Sequence, residues 1–427
     1  MKTKATKDQA TTGLVPKLRF PEFRGAEGWQ DQPIGPYLED CSDRVPSDTE
    51  LPVYSSTREG LKRQDAYFDG RVLQNRNEYG VVPPACFVYR HMSDDGLFKF
   101  NINETGGDIA VSKEYPVFST RGLDPVFLLA KLNDGLDFKR FALSQKAGGT
   151  RTRLYFSKLC EWRTLLPSPA EQKKIADCLN SLDELIAAQG RKVEALKTHK
   201  KGLMQQLFPR EGETVPQLRL PEFQNAGEWE TKRVDEWGDV LAGKALAVNA
   251  PGPLRPYLRT KNVLDGAIDI QDVLAMPMTD AEFKRFEILD GDILLNEGQS
   301  LHLVGRAAIY RSELGQRCAM QNQLLRFRAF SSTCPAFAAQ AFRRCQQDGT
   351  FASISTQTTS VAHLGSSRFS ALKLTWPPSL AEQERIADHL TAIEALITAA
   401  TQALDTLKTH KQGLMQQLFP AAESEAA

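Results

Sequence analysis

The sequence predicts an α+β protein: two globular α/β domains carried on two long helices, with the whole order of parts present twice. Three observations carry this. The segment Ala170–Pro209 reads AEQKKIADCLNSLDELIAAQGRKVEALKTHKKGLMQQLFP and recurs without a gap at Ala381–Pro420, with more than half of its positions identical. Within each copy, apolar residues recur at alternating spacings of four and three, the seam of a coiled coil. A second repeat, VPKLRFPEF at Val15–Phe23 and VPQLRLPEF at Val215–Phe223, precedes each variable block, and Trp29 matches Trp229.

The parts follow in order. Residues 1–167 form a first domain with an N-terminal strap, 168–209 a central helix, 210–378 a second domain with its own strap, 379–420 a C-terminal helix, and 421–427 a tail. Proline and paired apolar residues make each VPxLRxPEF an extended strap that packs on a neighbouring surface. In the first block, apolar runs punctuated by turns predict strands at Val72, Ala85–Arg90, Leu97–Asn103 and Tyr115–Ser119. A helix starts at Pro125, and a basic glycine loop from Gly148 enters a short strand. The second block predicts strands at Tyr257, Gly291–Leu295, Gly305–Tyr310 and Ala319–Arg328, and a helix over Pro335–Arg344. The two blocks share little sequence although their frames repeat. A matched frame holding two divergent inserts suits a reader of two signals.

In the first helix the seam runs Ile175, Leu179, Leu182, Ile186, Gln189, Val193, Leu196, Lys200, Leu203 and Leu207. The second keeps it from Ile386 to Leu418, and the economical partner for each stripe is the other copy. Pro169 suits a first helical turn, and Pro209 and Pro420 end the helices. Identity extends beyond the seam, to the run Leu196, Lys197, His199, Lys200, its copy Leu407, Lys408, His410, Lys411, and the shared GLMQQLFP ending. These are candidate docking surfaces for a partner that touches both copies.

Composition bounds the function. Of 427 residues 41% are hydrophobic and 25% charged, ordinary for a soluble protein of several domains. No apolar run of about eighteen residues could span a membrane. The start MKTKATKDQATTG lacks the apolar centre of a signal peptide, so a cytoplasmic location is expected. Seven cysteines without a Cys-x-x-Cys pair fit reduced thiols better than disulfides or zinc. Net charge is zero, so contact with nucleic acid requires local basic patches or positive charge from another subunit.

The helix entries LPSPAEQ at Leu166–Gln172 and WPPSLAEQ at Trp376–Gln383, each followed by Ile-Ala-Asp or its copy, resemble those of the specificity subunit of type I restriction-modification enzymes. So do KLRFPEF, GLMQQLFP and the segment FEILDGDILL at Phe286–Leu295. The resemblance covers nearly the whole chain. It implies two target-recognition domains joined by two long antiparallel coiled-coil helices in a pseudo-twofold duplication, each domain reading half of a bipartite double-stranded DNA target. Two methyltransferase subunits would dock on the repeated frame and two motor-nuclease subunits complete the complex. S-adenosylmethionine, ATP and magnesium would sit on those partners, with no cofactor in this chain.

The residues support a non-catalytic role. No Asn/Asp-Pro-Pro-aromatic motif or Walker lysine is present, and Gly106–Ala110 is too little for a phosphate loop. Asp290, Asp292 and Glu297 could mimic a nuclease metal cluster, but a Gly-Asp turn before an apolar strand has a structural reading. Arg suits guanine O6 and N7, and Asn or Gln suits adenine N6 and N7. The DNA-binding candidates in the first block are Arg90, His91, Lys99, Asn101, Asn103, Thr150, Arg151 and Arg153, with alternation placing Lys99, Asn101 and Asn103 on one face. In the second they are Arg259, Lys261, Asn262, Gln299, Ser300, His302, Gln321, Asn322, Gln357, Thr358 and Thr359. Each has the plain alternative of a solvated surface group. A scaffold binding proteins at its two globular ends is the competing function, and a free-standing nuclease a third.

Overall fold

The computed structural model describes residues 14–67, 78–146, 151–245, 250–357 and 360–420. The strand expected at Val72 and the start of the glycine loop at Gly148 lie outside them. The chain divides into two units, Met1–Gly190 with Gln402–Ala427, and Arg191–Thr401.

In the first unit a four-stranded antiparallel sheet runs in the order Leu38–Asp40, Val117–Thr120, Phe87–Tyr89, Phe100–Ile102. A second sheet orders Ile109–Ser112, Glu78–Val82, Arg44–Pro46, and Tyr54–Thr57 pairs with Gly60–Arg63 as a hairpin. The helix predicted from Pro125 spans Pro125–Asp134. Asp124 caps it, its carboxylate accepting from the Val126 and Phe127 amides at 2.9 and 3.0 Å. The core is aromatic: Trp29, Phe87, Phe100, Phe118, Phe127 and Trp162 are all buried. Lys131 is buried among them, paired with Asp137 at 2.9 Å, its Nζ 5.4 to 5.9 Å from the Trp29, Trp162 and Phe419 rings. Burial pushes its pKa down, against the pull of Asp137.

The second unit repeats the sheet order strand for strand, despite the divergent sequence: Gly238–Ala242, Leu324–Ala329, Ile293–Asn296, Ala307–Ile309. Its second sheet, Leu274–Pro277, Leu254–Leu258, Cys318–Met320, Glu287–Ile288, contains one parallel step, Tyr257 against Ala319. The single strand expected over Ala319–Arg328 is two strands. Gln321, Asn322 and Gln323 make the break, with the Leu324 amide donating back to the Gln321 carbonyl at 2.9 Å. The predicted helix spans Pro335–Gln347.

The long helices span Pro169–Leu207 and Leu380–Leu418. All predicted seam positions, Ile175 to Leu207 and Ile386 to Leu418, are buried or half-buried. In the first unit Lys411 pairs with Asp183 at 2.6 Å, while Ile175 and Leu179 share a core with Met415 and Leu418, so these two segments run in opposite directions. In the second, Lys200 pairs with Glu394 at 2.5 Å, and Met204 and Leu207 share a core with Ile386 and Leu390, again antiparallel.

The straps are more than extended packing. Each ends in a turn of 3-10 helix, Pro21–Phe23 and Pro221–Phe223. Arg19 makes a two-armed ion pair with Glu171 at 2.8 and 2.7 Å, and Trp29 Nε1 donates to the same carboxylate at 3.2 Å. Arg219, Glu382 and Trp229 repeat this at 2.8, 2.8 and 3.2 Å. Gln172 and Gln383 complete the lock: their amides donate to the Pro167 and Pro377 carbonyls, and their oxygens accept from the Asp124 and Cys334 amides that open each domain's helix.

Candidate nucleic-acid interface

Sheet register decides which polar residues meet. In the first unit Tyr89 lies opposite Phe100 and Val88 opposite Val117. The residues just beyond these strands, Arg90 and His91, Lys99, and Tyr115, therefore share one sheet edge. The short pair Met92–Ser93 with Thr152–Arg153 brings Arg153 opposite Met92, beside them. A cleft of ≈570 Å³ opens here, lined by Arg90, Lys99, Arg58, Tyr67 and Tyr115 among others. Arg58 is paired with Asp95 at 2.6 Å and Arg151 with Asp94 at 2.7 Å, both on the exposed surface. Exposed pairs of this kind are worth at most about 1 kcal/mol, so phosphates could replace the aspartates.

Three expectations for this unit need correction. Asn101 and Asn103 are buried although Phe100–Ile102 is the last strand of its sheet, because the Tyr54–Arg63 hairpin covers the first and the end of Glu78–Val82 covers the second. The Asn101 amide donates to Ser56 Oγ and the Thr57 carbonyl, bracing the hairpin that carries Arg58. Asn103 is saturated by the Val82 and Gly107 carbonyls and by Thr105. His91 is also buried, stacked on Tyr155 at 5.5 Å, and its Nδ1 has no hydrogen-bond partner.

In the second unit Ala242 lies opposite Leu325, Asn296 opposite Leu324, and Leu258 beside Met320 in parallel. Four strands thus end along one edge, and the residues that follow them gather there: Lys244, Arg259, Gln299, and Gln321 with Asn322. The Lys244 backbone forms a parallel bridge to Gln321, while its side chain, 11% exposed, pairs with Glu282. Gln299 and Gln357 both lie opposite Ala362, on either side of it, so the two glutamines project from one face of that small sheet. Arg259 and Lys261 both hold Asp272 at 2.7 Å, and Lys261's hydrogen bond leads in lowering that carboxyl's pKa. Asn262 is buried, donating to the Asp269 and Asp272 carbonyls, so it braces this loop and presents nothing outward. The Ser300 carbonyl closes a turn, accepting from the Leu303 and Val304 amides. His302 is exposed, but its carbonyl is tied to Gln346 at the end of Pro335–Gln347. Thr150, Thr358 and Thr359 lie outside the described residues.

The carboxylates weighed as a metal site are engaged otherwise. Asp292 forms a two-armed pair with Arg328 at 2.7 Å, and Glu297 contacts His363 at 3.2 Å. Among the described residues no group of three or more His, Cys, Asp or Glu could hold a metal ion, and no helix is long and apolar enough to cross a membrane.

The docking candidates divide. Lys197, His199, Lys408 and His410 are exposed; Leu196 and Leu407 are half-buried in the seam. Lys200 and Lys411 turn inward to acidic partners, which corrects their reading as open surface. The apolar residues of the GLMQQLFP endings are corrected too, while Gln205, Gln206, Gln416 and Gln417 stay exposed. Met204, Leu207 and Phe208 enter the second unit's core beside Trp229 and Phe337. Met415, Leu418 and Phe419 enter the first unit's core beside Trp29 and Phe127. Sequence reasoning missed Arg58, Lys244 and both Arg–Glu locks. Only the locks had a signal, since Arg19 and Glu171 each recur inside a repeat.

Residues 226–409 match the family model described as type I restriction modification DNA specificity domain. The matched stretch falls largely within the second unit. A Methanocaldococcus jannaschii protein assigned as the type I restriction enzyme MjaX specificity subunit is 28% identical over 194 residues, 40% of this chain and 45% of that protein. The match thus spans less than half of the relative's length. The S subunit of a type I restriction-modification system from M. genitalium shares the fold with a TM-score of 0.56 at 13% identity, over 96% of this chain and 100% of that one. A chain solved in work on complex assembly and conformational transition of the type I R-M system matches with a TM-score of 0.55 at 15% identity, over 92% and 98%. The family match and the shared fold agree with the resemblance read from the helix entries.

Proposed function

We propose that this chain is the non-catalytic, sequence-specific DNA-recognition subunit of a cytoplasmic type I restriction-modification complex. The observation that carries the proposal is that two units repeating one four-stranded sheet order each gather arginine, lysine or amide side chains at one sheet edge, while their sequences there differ. Each edge reads one half of a bipartite double-stranded target, by base contacts in the major groove and phosphate contacts around them. The long helices, ~58 Å each at 1.5 Å per residue, pair as an antiparallel coiled coil in a pseudo-twofold duplication and set the gap between half-sites. Two methyltransferase subunits dock on the repeated frame at equivalent sites, and two motor-nuclease subunits complete the complex. S-adenosylmethionine, ATP and magnesium belong to those partners.

Methylome sequencing of cells expressing this chain with its methyltransferase subunit tests the proposal. A bipartite methylated motif is expected, and exchange of the block Trp29–Pro167 for that of a relative changes one half of it. Methylation without a bipartite motif, or methyl transfer by this chain alone, overturns it.

A further inference from the structure

The second unit contains a chain of contacts running from a variable loop to a long helix. Arg343, on Pro335–Gln347, donates from Nε to Asp265 at 2.9 Å and pairs through its other arm with Glu394 of Leu380–Leu418. Glu394 also takes Lys200 at 2.5 Å and Gln340 at 3.0 Å. Asp265 sits in a tight turn in which the Leu264 amide donates to the Ala267 carbonyl. Gly266 has a φ of +72°, and a Cβ there would stand 3.0 Å from the Arg343 guanidinium. Glycine is needed on both counts. From this turn the loop is one hydrogen-bonded piece: Asn262 ties Asp269 and Asp272, and Asp272 holds Arg259 and Lys261.

The first unit is built otherwise. Asp183 and Lys411 occupy the positions of Glu394 and Lys200 in the repeat, and among the described residues that pair has no guanidinium from the variable block hydrogen-bonded to it. Aligning the helices on Pro125 and Pro335 puts Asn133 in the place of Arg343. Asn133 hydrogen-bonds both backbone groups of Phe100, bracing a strand instead of a long helix.

We propose that Arg343 is a positioning residue that fixes the Arg259–Asp272 loop to the long helix, so that the second half-site is read at one distance from the spacer. The inference rests on the DNA-specificity reading above. A guanidinium forked between two carboxylates is geometrically restrictive. Without it the loop keeps its internal bonds and its ties to the sheet, the Gly266 amide to the Ala307 carbonyl and Asn296 to the Val263 carbonyl, and loses its link to the long helix.

The test compares wild type with Arg343→Gln, Arg343→Lys, Glu394→Gln and Asp183→Asn, each expressed with the methyltransferase subunit and read by methylome sequencing. Arg343→Gln and Glu394→Gln are expected to raise methylation at sites whose gap is one base pair longer or shorter by roughly tenfold, the order of coupling seen between residues of one network. The first half-site stays unchanged. Arg343→Lys falls between, and Asp183→Asn keeps the wild-type gap. Hydrogen exchange on the purified full-length Glu394→Gln chain, which retains Arg343, is expected to show faster exchange confined to the 259–272 loop. An unchanged gap distribution in active Arg343→Gln enzyme overturns the inference, as does unchanged loop protection in Glu394→Gln. A wild-type chain that confers no bipartite motif overturns the underlying reading and the inference with it.

Discussion

Arg19 and Glu171, 152 positions apart in sequence, meet in a two-armed ion pair at 2.8 and 2.7 Å with side chains 5% and 1% exposed. Ser168 Oγ accepts from the Glu171 amide at 3.3 Å at the start of the long helix, as a capping residue does. The Glu171 side chain is turned from that cap to the strap. Removing one partner of such a buried pair costs about 3–5 kcal/mol, whereas replacing both with apolar residues is often neutral. Glu171→Ala is therefore expected to lower the urea midpoint strongly, and Arg19→Met with Glu171→Leu to recover most of the loss. Equal destabilisation by the single and double variants would contradict this.

Phe208 is 1% exposed and stacks on Phe337 at 5.4 Å, so Phe208→Ala is expected to cost about 3–5 kcal/mol. Hydrogen exchange should place the loss in the second unit. Phe419→Ala, at a half-buried site, should act more weakly and in the first unit. Protection lost equally in both units by either variant would show that the endings do not act locally.

Arg259 and Lys261 share one aspartate but are expected to act differently on DNA. If Arg259 reads a guanine, Arg259→Ala costs about 1–3 kcal/mol and relaxes one position of the motif. If Lys261 touches phosphate, Lys261→Ala weakens all sequences alike and reduces the salt slope by about one. Binding assays at several salt concentrations, using the assembled methyltransferase, separate the two. Relaxation of the half-site assigned to the first unit would misplace both residues.

For Glu394, burial raises the carboxyl's pKa, but Arg343 and Lys200 outweigh it and hold the value below the ordinary 4.5. A group with a depressed folded pKa contributes stability above its unfolded pKa and loses it as pH falls through the folded value. The thermal stability difference between wild type and Glu394→Gln should thus be full at pH 6 and shrink below about pH 4.3. A difference that grows on acidification would reverse the sign of this argument.

Inserting one heptad in register after Val193 and after Ala400 preserves the four-three seam and adds ~10 Å of helix. The unspecified gap should lengthen by roughly three base pairs at 3.4 Å each. Three base pairs also rotate the second half-site by ~100°, so weaker binding is expected alongside. An active variant that keeps the parental gap would mean that the helices do not measure it.

The repeats alone determined the order of parts, the long helices to within a few residues, and the seam that the structure buries. Periodicity is local, and an apolar stripe every three or four residues has one way to leave water. The helices at Pro125 and Pro335 were legible for the same reason, since proline and a capping position act within one turn. Tertiary structure decided what the polar residues do. Lys99, Asn101 and Asn103 alternate as a surface strand would, yet a neighbouring strand and hairpin cover Asn101 and Asn103, and burial forces their amides onto backbone partners. Lys244, Arg259, Gln299 and Gln321 stand far apart in the chain and meet only because four strands end together. GLMQQLFP reads as a docking surface until Phe208 and Phe419 are placed, each beside the tryptophan that follows a strap. Pairing over such distances depends on sheet register, which no local pattern in the sequence encodes.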